Sequence, residues 1–213
     1  AKNFFESAIT STNTIAIENN TDRMNYRLSY TNMMHEGFIP NSDLERNSLA
    51  INSTFDVNDK LKITSSLKYV ISGADNRPST TDRNANPLQA LYDINPHIDI
   101  RDLEDYWLVE GQLQNAPYNF GDDPSDFEYN NPYFMANEIN NGFERKRLYG
   151  NFQADYAFSD KFSLMLRYAY NDSREVRETK ISSGFSRETN GAYGLVNLDG
   201  VESNADFLLT YKD

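Results

Sequence analysis

The 213-residue chain has no cysteine, only two histidines and no long apolar run. Without cysteine, disulfides and thiolate metal sites are excluded. His35 and His97 are single residues in predicted loops, so no histidine metal-ligand spacing exists and we expect neither metal nor cofactor. A transmembrane helix needs about 20 mainly apolar residues and is excluded. The net charge of −12 argues against nucleic acid as a partner, because phosphate binding needs a basic surface.

What the sequence does contain is alternation of apolar and polar residues. The pattern is clearest in 145–172, which indicates two long strands joined by a short polar turn at 159–161. One face of the second strand comprises Phe162, Leu164, Leu166, Tyr168 and Tyr170. Because side chains alternate across a strand, each strand has one apolar and one polar face. The strands exceed the usual length of about 5–6 residues, and their apolar faces are rich in aromatic residues, as in transmembrane barrels.

Similar segments predict about seven strands, connected alternately by short and long segments. The short connections are 19–22, 58–60 and 159–161, and the long ones are 35–46, 74–144 and roughly 179–190. An up-and-down meander places all of its short turns at one end, which is the asymmetry of outer-membrane barrels. We therefore predict an all-β fold, in which antiparallel up-and-down strands form part of a large transmembrane β-barrel, with short helices in one long extracellular loop.

The predicted organisation has three parts: about four barrel strands in 1–73, the long loop in 74–144, and about three barrel strands in 145–213. Within the loop, Asn-Pro pairs beginning at Asn86 and Asn131 predict short helices, because asparagine caps a helix and proline suits its first turn. A further helical turn is predicted over 100–109, which carries Trp107, the only tryptophan.

The loop also supplies the candidate binding residues, which are aromatic. Exposed rings stack on sugars and peptides, and loops commonly carry binding groups on a rigid scaffold. The candidates for substrate or partner binding are Tyr92, Tyr106, Trp107, Tyr118, Phe120, Phe127, Tyr129, Tyr133 and Phe134. The alternative is that these rings pack the interior of the loop or contact a partner protein.

Other chemistry is sparse. A weak Ca²⁺ candidate, supported only by the type of ligand, consists of Asp122, Asp123, Asp126 and Glu128. The basic residues expected on the inner, polar strand faces are Arg23, Arg27, Lys62, Lys68, Arg147 and Arg167. No nucleophile–base pair is evident, so we expect no catalytic residues and no enzyme activity.

Several segments together resemble one known family. NYRLSYTNMMHEGFIPNSDLERNSL, LKITSSLKY, NPLQAL and RLYGNFQADYAFSDKFSLMLRY are similar to the SusC/RagA family of TonB-linked outer-membrane transporters. The resemblance implies a large barrel closed by a plug, a SusD-like surface lipoprotein as partner, and TonB-driven import of oligosaccharides or peptides. It also implies the outer membrane of a Gram-negative, Bacteroidetes-type cell. This chain would supply part of the lipid-facing barrel wall and the binding loop, while TonB would contact a part of the polypeptide that is not present here.

The alternating segment 207–211 lies at the end of the chain, so we expect a piece of a longer polypeptide. Two interpretations from other classes stay open. A soluble β-rich module for surface glycan binding or adhesion would have to cover its apolar strand faces with a second sheet. An outer-membrane barrel enzyme would need a nucleophile–base pair on facing strands, and none is evident in the sequence.

Overall fold

The computed structural model describes residues 2–80, 85–94, 96–116 and 130–213. Seven long strands form one antiparallel sheet in the order β1-β2-β3-β4-β7-β8-β9. They are β1 (Ile9–Asn20), β2 (Met24–Glu36), β3 (Asp43–Asn58), β4 (Leu61–Ala74), β7 (Ile139–Ala157), β8 (Phe162–Ile181) and β9 (Ala192–Tyr211). The predicted antiparallel up-and-down sheet is confirmed, with the last segment forming one strand. Within the described residues the sheet does not close, and β1 and β9 are its two edges.

Short turns join the strands at one end of the sheet. At the second of them, the Asn58 side-chain oxygen accepts hydrogen bonds from the backbone nitrogens of Lys60 (2.9 Å) and Leu61 (3.0 Å). The opposite end carries the longer connections 37–42, 75–138 and 182–191. The first of these is shorter than the predicted 35–46, because the ladder between β2 and β3 continues to the pair Glu36 and Asp43.

The two faces of the sheet differ sharply in chemistry. Paired residues share a face, and one row across the sheet reads Leu28, Ile51, Leu67, Gly150 and Tyr170. We call this side the apolar face. Its large side chains are exposed along all seven strands, and Phe207 on β9 reaches 77% exposure. Apolar patches of this extent are unusual on soluble monomers.

The apolar face has a limited height. On β8 it runs from Phe162 to Tyr170, which is about 26 Å along the strand at roughly 3.3 Å per residue. Asp172 and Arg174 then follow on the same face. Aromatic rings lie at both borders: Tyr30, Tyr69 and Tyr170 towards the long connections, and Tyr156, Phe158, Phe162 and Tyr211 towards the short turns. This height and these borders match the lipid-facing belt of an outer-membrane barrel.

The opposite side, which we call the polar face, is the more enclosed one. Every buried residue in the described part of the seven-stranded sheet lies on it, and these residues are Ser48, Ser72, Ala74, Ile139 and Glu175. Ala74 and Ile139 lie where the strands meet the long connection. The polar face is therefore the more enclosed side of the sheet.

The 75–138 connection has its own secondary structure. It contains α1 (Pro87–Asp93), a 3₁₀ helix (Ile100–Leu103), the short strands β5 (Trp107–Val109) and β6 (Leu113–Gln114), and α2 (Pro132–Glu138). Both Asn-Pro helices are confirmed. The predicted helical turn over 100–109 is wrong beyond Leu103, because Gly111 with a φ of +68° allows a tight turn that pairs Trp107 with Gln114.

Two apolar clusters form the interior beneath these elements. One contains Phe4, Ile39, Ile100, Leu103, Tyr133 and Ala136, and the other contains Phe134, Met135, Ile139 and Phe185. The described parts of the long connection thus pack as one unit on the end of the sheet. Across the described ranges, no helix is long and apolar enough to cross a membrane.

Candidate functional site

The long connection is organised around Asn131, which is fully buried. Its side-chain oxygen caps α2 by accepting from the backbone nitrogens of Tyr133 (2.8 Å) and Phe134 (3.4 Å). Its side-chain nitrogen donates to the carbonyls of Leu103 (2.9 Å) and Asn115 (2.8 Å). One asparagine therefore joins α2, the 3₁₀ helix and the end of the β5–β6 hairpin.

A second buried amide, Gln114, ties this unit to the connection between β8 and β9. Its side-chain oxygen accepts from the backbone nitrogen of Asn131 (2.8 Å). Its side-chain nitrogen donates to Asn130 (2.7 Å) and to the carbonyl of Gly184 (2.9 Å). Asn130 in turn donates to the Ser186 hydroxyl (2.9 Å). Two loops that are distant in sequence thus form one surface at this end of the sheet.

Asn76 fastens the base of the long connection to the sheet. Its side-chain nitrogen donates to the carbonyl of Ala136 (2.9 Å), and its oxygen accepts from the backbone nitrogen of Asn141 (3.0 Å). Asn41 adds bonds to the same Ala136 carbonyl (3.2 Å) and to Asn140 (3.0 Å). Both ends of the insertion are thereby held together.

Three of the predicted binding aromatics lie together inside this unit. Phe134 is fully buried, and Trp107 meets it edge-on with ring centroids 5.0 Å apart. Tyr106 lies beside both rings and donates its hydroxyl to Glu138 (3.1 Å). Burial and the Glu138 carboxylate raise the pKa of Tyr106. In this structure the three rings pack the interior of the loop.

The other described candidates are separate from this group. Tyr133 is buried against Phe4 at 4.9 Å and donates to the carbonyl of Asn3 (3.2 Å). Burial, followed by the nearby Glu104 carboxylate, raises the pKa of Tyr133. Tyr92 on α1 is 84% exposed. The candidates outside the described residues are Tyr118, Phe120, Phe127 and Tyr129. A binding role for the set stays a prediction.

The Ca²⁺ candidate also lies outside the described residues, since Asp122, Asp123, Asp126 and Glu128 all belong to 117–129. Among the residues that are described, no group of three or more histidine, aspartate or glutamate side chains could hold a metal ion.

The polar face carries a charged cluster that the sequence analysis missed in part. Buried Glu175 forms ion pairs with Arg145 on the neighbouring strand β7 and with Arg177 on its own strand. Arg147, which was predicted for this face, donates to Asn171 (2.8 Å) and lies over the Tyr149 ring at 4.7 Å. The signal for Arg145, Glu175 and Arg177 was available, because each falls on the polar positions of its strand. Their ion pairing depends on a register that the sequence alone does not define.

Comparisons with known proteins identify the fold. No protein-family model and no curated protein matches this chain. The chain is similar to a solved structure of the RagAB peptide importer in the closed-closed state and to one of the RagAB peptide transporter. Both give a TM-score of 0.68 at 16% identity, over 100% of this chain and 23% of that chain. The importer in the open-open state gives 0.67 at 16%, over 99% of this chain and 22% of that chain.

This chain therefore spans less than a quarter of the length of the chains that it matches. At this level of identity the similarity shows the fold. The seven-stranded sheet and its long connection have the architecture of part of such an importer chain.

Proposed function

We propose that this chain forms part of the barrel wall of an outer-membrane nutrient importer of the SusC/RagA type, together with a loop that contacts substrate or partner. The observation that carries the proposal is the sheet with a belt-like apolar face on one side and a charged face on the other. A wall between lipid and an aqueous lumen needs this division. The fold-level similarity to peptide importer chains supports it over their matched portion.

The soluble-module alternative is disfavoured by the same face. A soluble sandwich buries its apolar strand faces against a second sheet. In the described part of the chain the only other sheet is the two-stranded β5–β6 hairpin. It lies within the long connection, and the apolar face, including Phe152 and Leu166, is exposed.

The proposed mechanism is binding and gated passage without covalent chemistry. The long connection would contact an oligosaccharide or peptide, or a SusD-like lipoprotein, outside the membrane. Tyr92 is the described candidate ring that is available for stacking without rearrangement, because its side chain is largely exposed. TonB would act through another part of the full-length polypeptide.

The test is site-specific labelling of the full-length protein in intact cells, which uses the lack of cysteine in this chain. Any cysteine elsewhere in the protein is first replaced. Single variants Asn151→Cys and Phe152→Cys place a thiol at neighbouring, exposed positions of β7 on opposite faces. Tyr92→Cys is the loop control. We expect a membrane-impermeant maleimide to label Tyr92→Cys fast, a small water-soluble reagent to reach Asn151→Cys, and neither to label Phe152→Cys.

Labelling of Phe152→Cys as fast as Tyr92→Cys would refute a lipid-facing apolar surface. Recovery of the full-length protein in the soluble fraction without detergent would do the same. Import is tested separately, by comparing the uptake of labelled peptides and oligosaccharides between cells with and without the gene for the full-length protein.

A further inference from the structure

The polar face contains a patch of small side chains near the end with the long connections. Ser48 and Ala50 on β3 lie beside Val70 and Ser72 on β4, and all four point to the polar face by register. Ser48 and Ser72 are buried. The patch is therefore a shallow floor in the inner side of the wall.

Four basic residues frame this floor. Arg46 and Arg145 lie on either side of Ser72 in one row across β3, β4 and β7. Arg147 is paired with Val70 in the next row, and Lys68 occupies the row after that, opposite Tyr149. Adjacent strands are about 4.8 Å apart, so the four cationic groups surround an area of a few strand spacings. We call Arg46, Lys68, Arg145 and Arg147 the basic frame.

The cationic charge of the frame is only partly neutralised from within the described sheet. Buried Glu175 next to Arg145 is shared with Arg177, so two guanidinium groups face one carboxylate. On β3, β4 and β7 the acidic residues of the polar face are Asp56 and Asp155, both at the short-turn end. Within the described residues, the side chains of Arg46 and Lys68 have no hydrogen-bond or ion-pair partner.

Part of the frame is also held in place. The Arg147 side chain is oriented by its bond to Asn171 and by the Tyr149 ring beneath it. Arg145 is oriented by Glu175. Arginines held in this way keep free N–H groups that match the two oxygens of a carboxylate. The surplus of cationic groups contrasts with the net charge of −12 of the whole chain.

We propose that the basic frame binds a carboxylate of the imported molecule, and so favours carboxylate-bearing substrates over neutral ones; this rests on the proposed import function. An acidic peptide and an oligosaccharide of uronic acids carry the same chemical group. A segment of the full-length polypeptide inside the lumen is the competing occupant, and the experiment separates these cases.

The experiment measures binding to the purified full-length transporter by fluorescence anisotropy. The probes are a labelled glutamate-rich peptide, the same peptide with glutamines and an amidated C-terminus, and a labelled oligogalacturonate. The variant Arg46→Gln/Lys68→Gln removes the two frame residues that lack partners. Arg27→Gln is the matched control, because Arg27 lies on the same face but pairs with Glu18 on β1 outside the frame.

The double variant should weaken binding of the carboxylate probe by about tenfold or more and leave the amide peptide unchanged, since hydrogen bonds to charged groups are individually strong. Arg27→Gln should change neither. Whichever carboxylate probe shows the selective loss identifies the source of the carboxylate.

Equal weakening of charged and uncharged probes, or no weakening, would overturn the basic frame as a substrate site. A lower melting temperature of the double variant with unchanged carboxylate selectivity would also overturn it, and would assign the frame to a segment of the same protein. If the wild-type transporter bound and imported neither peptides nor oligosaccharides, the proposed function itself would fail. That result is distinguishable from a failure of the basic frame, because it is obtained with the wild-type protein alone.

Discussion

Replacing Asn131 by alanine tests whether buried amides hold the long connection together. The change removes the cap of α2, which is worth about 1 kcal/mol, and leaves two carbonyls without their donor at about 1 kcal/mol each. The free energy of local opening should fall by about 3 kcal/mol. Asn86→Ala is the matched control, since Asn86 also precedes a proline and caps α1 through the Leu88 nitrogen (3.0 Å). Asn86 is not fully buried, so Asn86→Ala should lower the free energy of local opening by only about 1 kcal/mol, the value of the cap.

Hydrogen exchange of backbone amides in the full-length protein measures both changes. Each 1.4 kcal/mol is about a tenfold change in the opening equilibrium, so exchange in α2 should accelerate roughly a hundredfold for Asn131→Ala. Exchange in α1 should accelerate roughly fivefold for Asn86→Ala. Asn131→Asp keeps the cap but loses both donors and turns a carboxylate towards the two carbonyls, so exchange in α2 should accelerate roughly thirtyfold or more. Equal acceleration by Asn131→Ala and Asn86→Ala would show that the buried network adds nothing beyond capping.

Three further changes probe the sheet. Gly150→Ala places a Cβ 2.1 Å from a backbone oxygen of the adjacent strand, so it should lower the free energy of unfolding in detergent by about 1–3 kcal/mol. Gly200→Ala is the control and should leave it unchanged, because no atom lies within 4 Å of the added Cβ. Phe207→Lys on the apolar face should reduce stability in lipid vesicles by about 2–4 kcal/mol, while Asn204→Lys on the polar face should not, as urea titration would show. Glu175→Gln leaves its two half-exposed arginine partners unpaired and should lower the free energy of unfolding by about 1–2 kcal/mol. An unchanged midpoint of thermal unfolding would contradict a stabilising role of this ion-pair cluster.

The strands were predictable because an apolar and a polar face on opposite sides of the sheet give the sequence a period of two. Alternation no longer identifies the strands beyond the large side chains of the apolar face. On β7 the same face carries Glu144 and Lys146 there, so the sequence gives no sign that the strand begins as early as Ile139. The ladder continues there because backbone hydrogen bonds need partners whatever the side chains are.

The secondary structure of the long connection was predictable only where residues close together in the sequence determine it. Asn131 followed by proline predicts the start of α2, because a cap bonds to residues two or three positions ahead. Gln114 carries no such signal, since its bond to Gly184 spans 70 positions. The prediction of a helical turn at Trp107 is wrong for a similar reason. Trp107 pairs with Gln114 across a turn that local propensity does not specify.

The hydrogen bonds from Asn76 and Asn41 to the Ala136 carbonyl close the base of the long connection, and this bears on which parts of the chain can vary in sequence. They join the ends of the 75–138 insertion at the point where β4 and β7 leave the sheet as direct neighbours. The alignment of β4 with β7 is then set at the base of the insertion. The part of the insertion that lies away from this base and from the two apolar clusters can therefore vary in sequence while the pairing of β4 with β7 is kept.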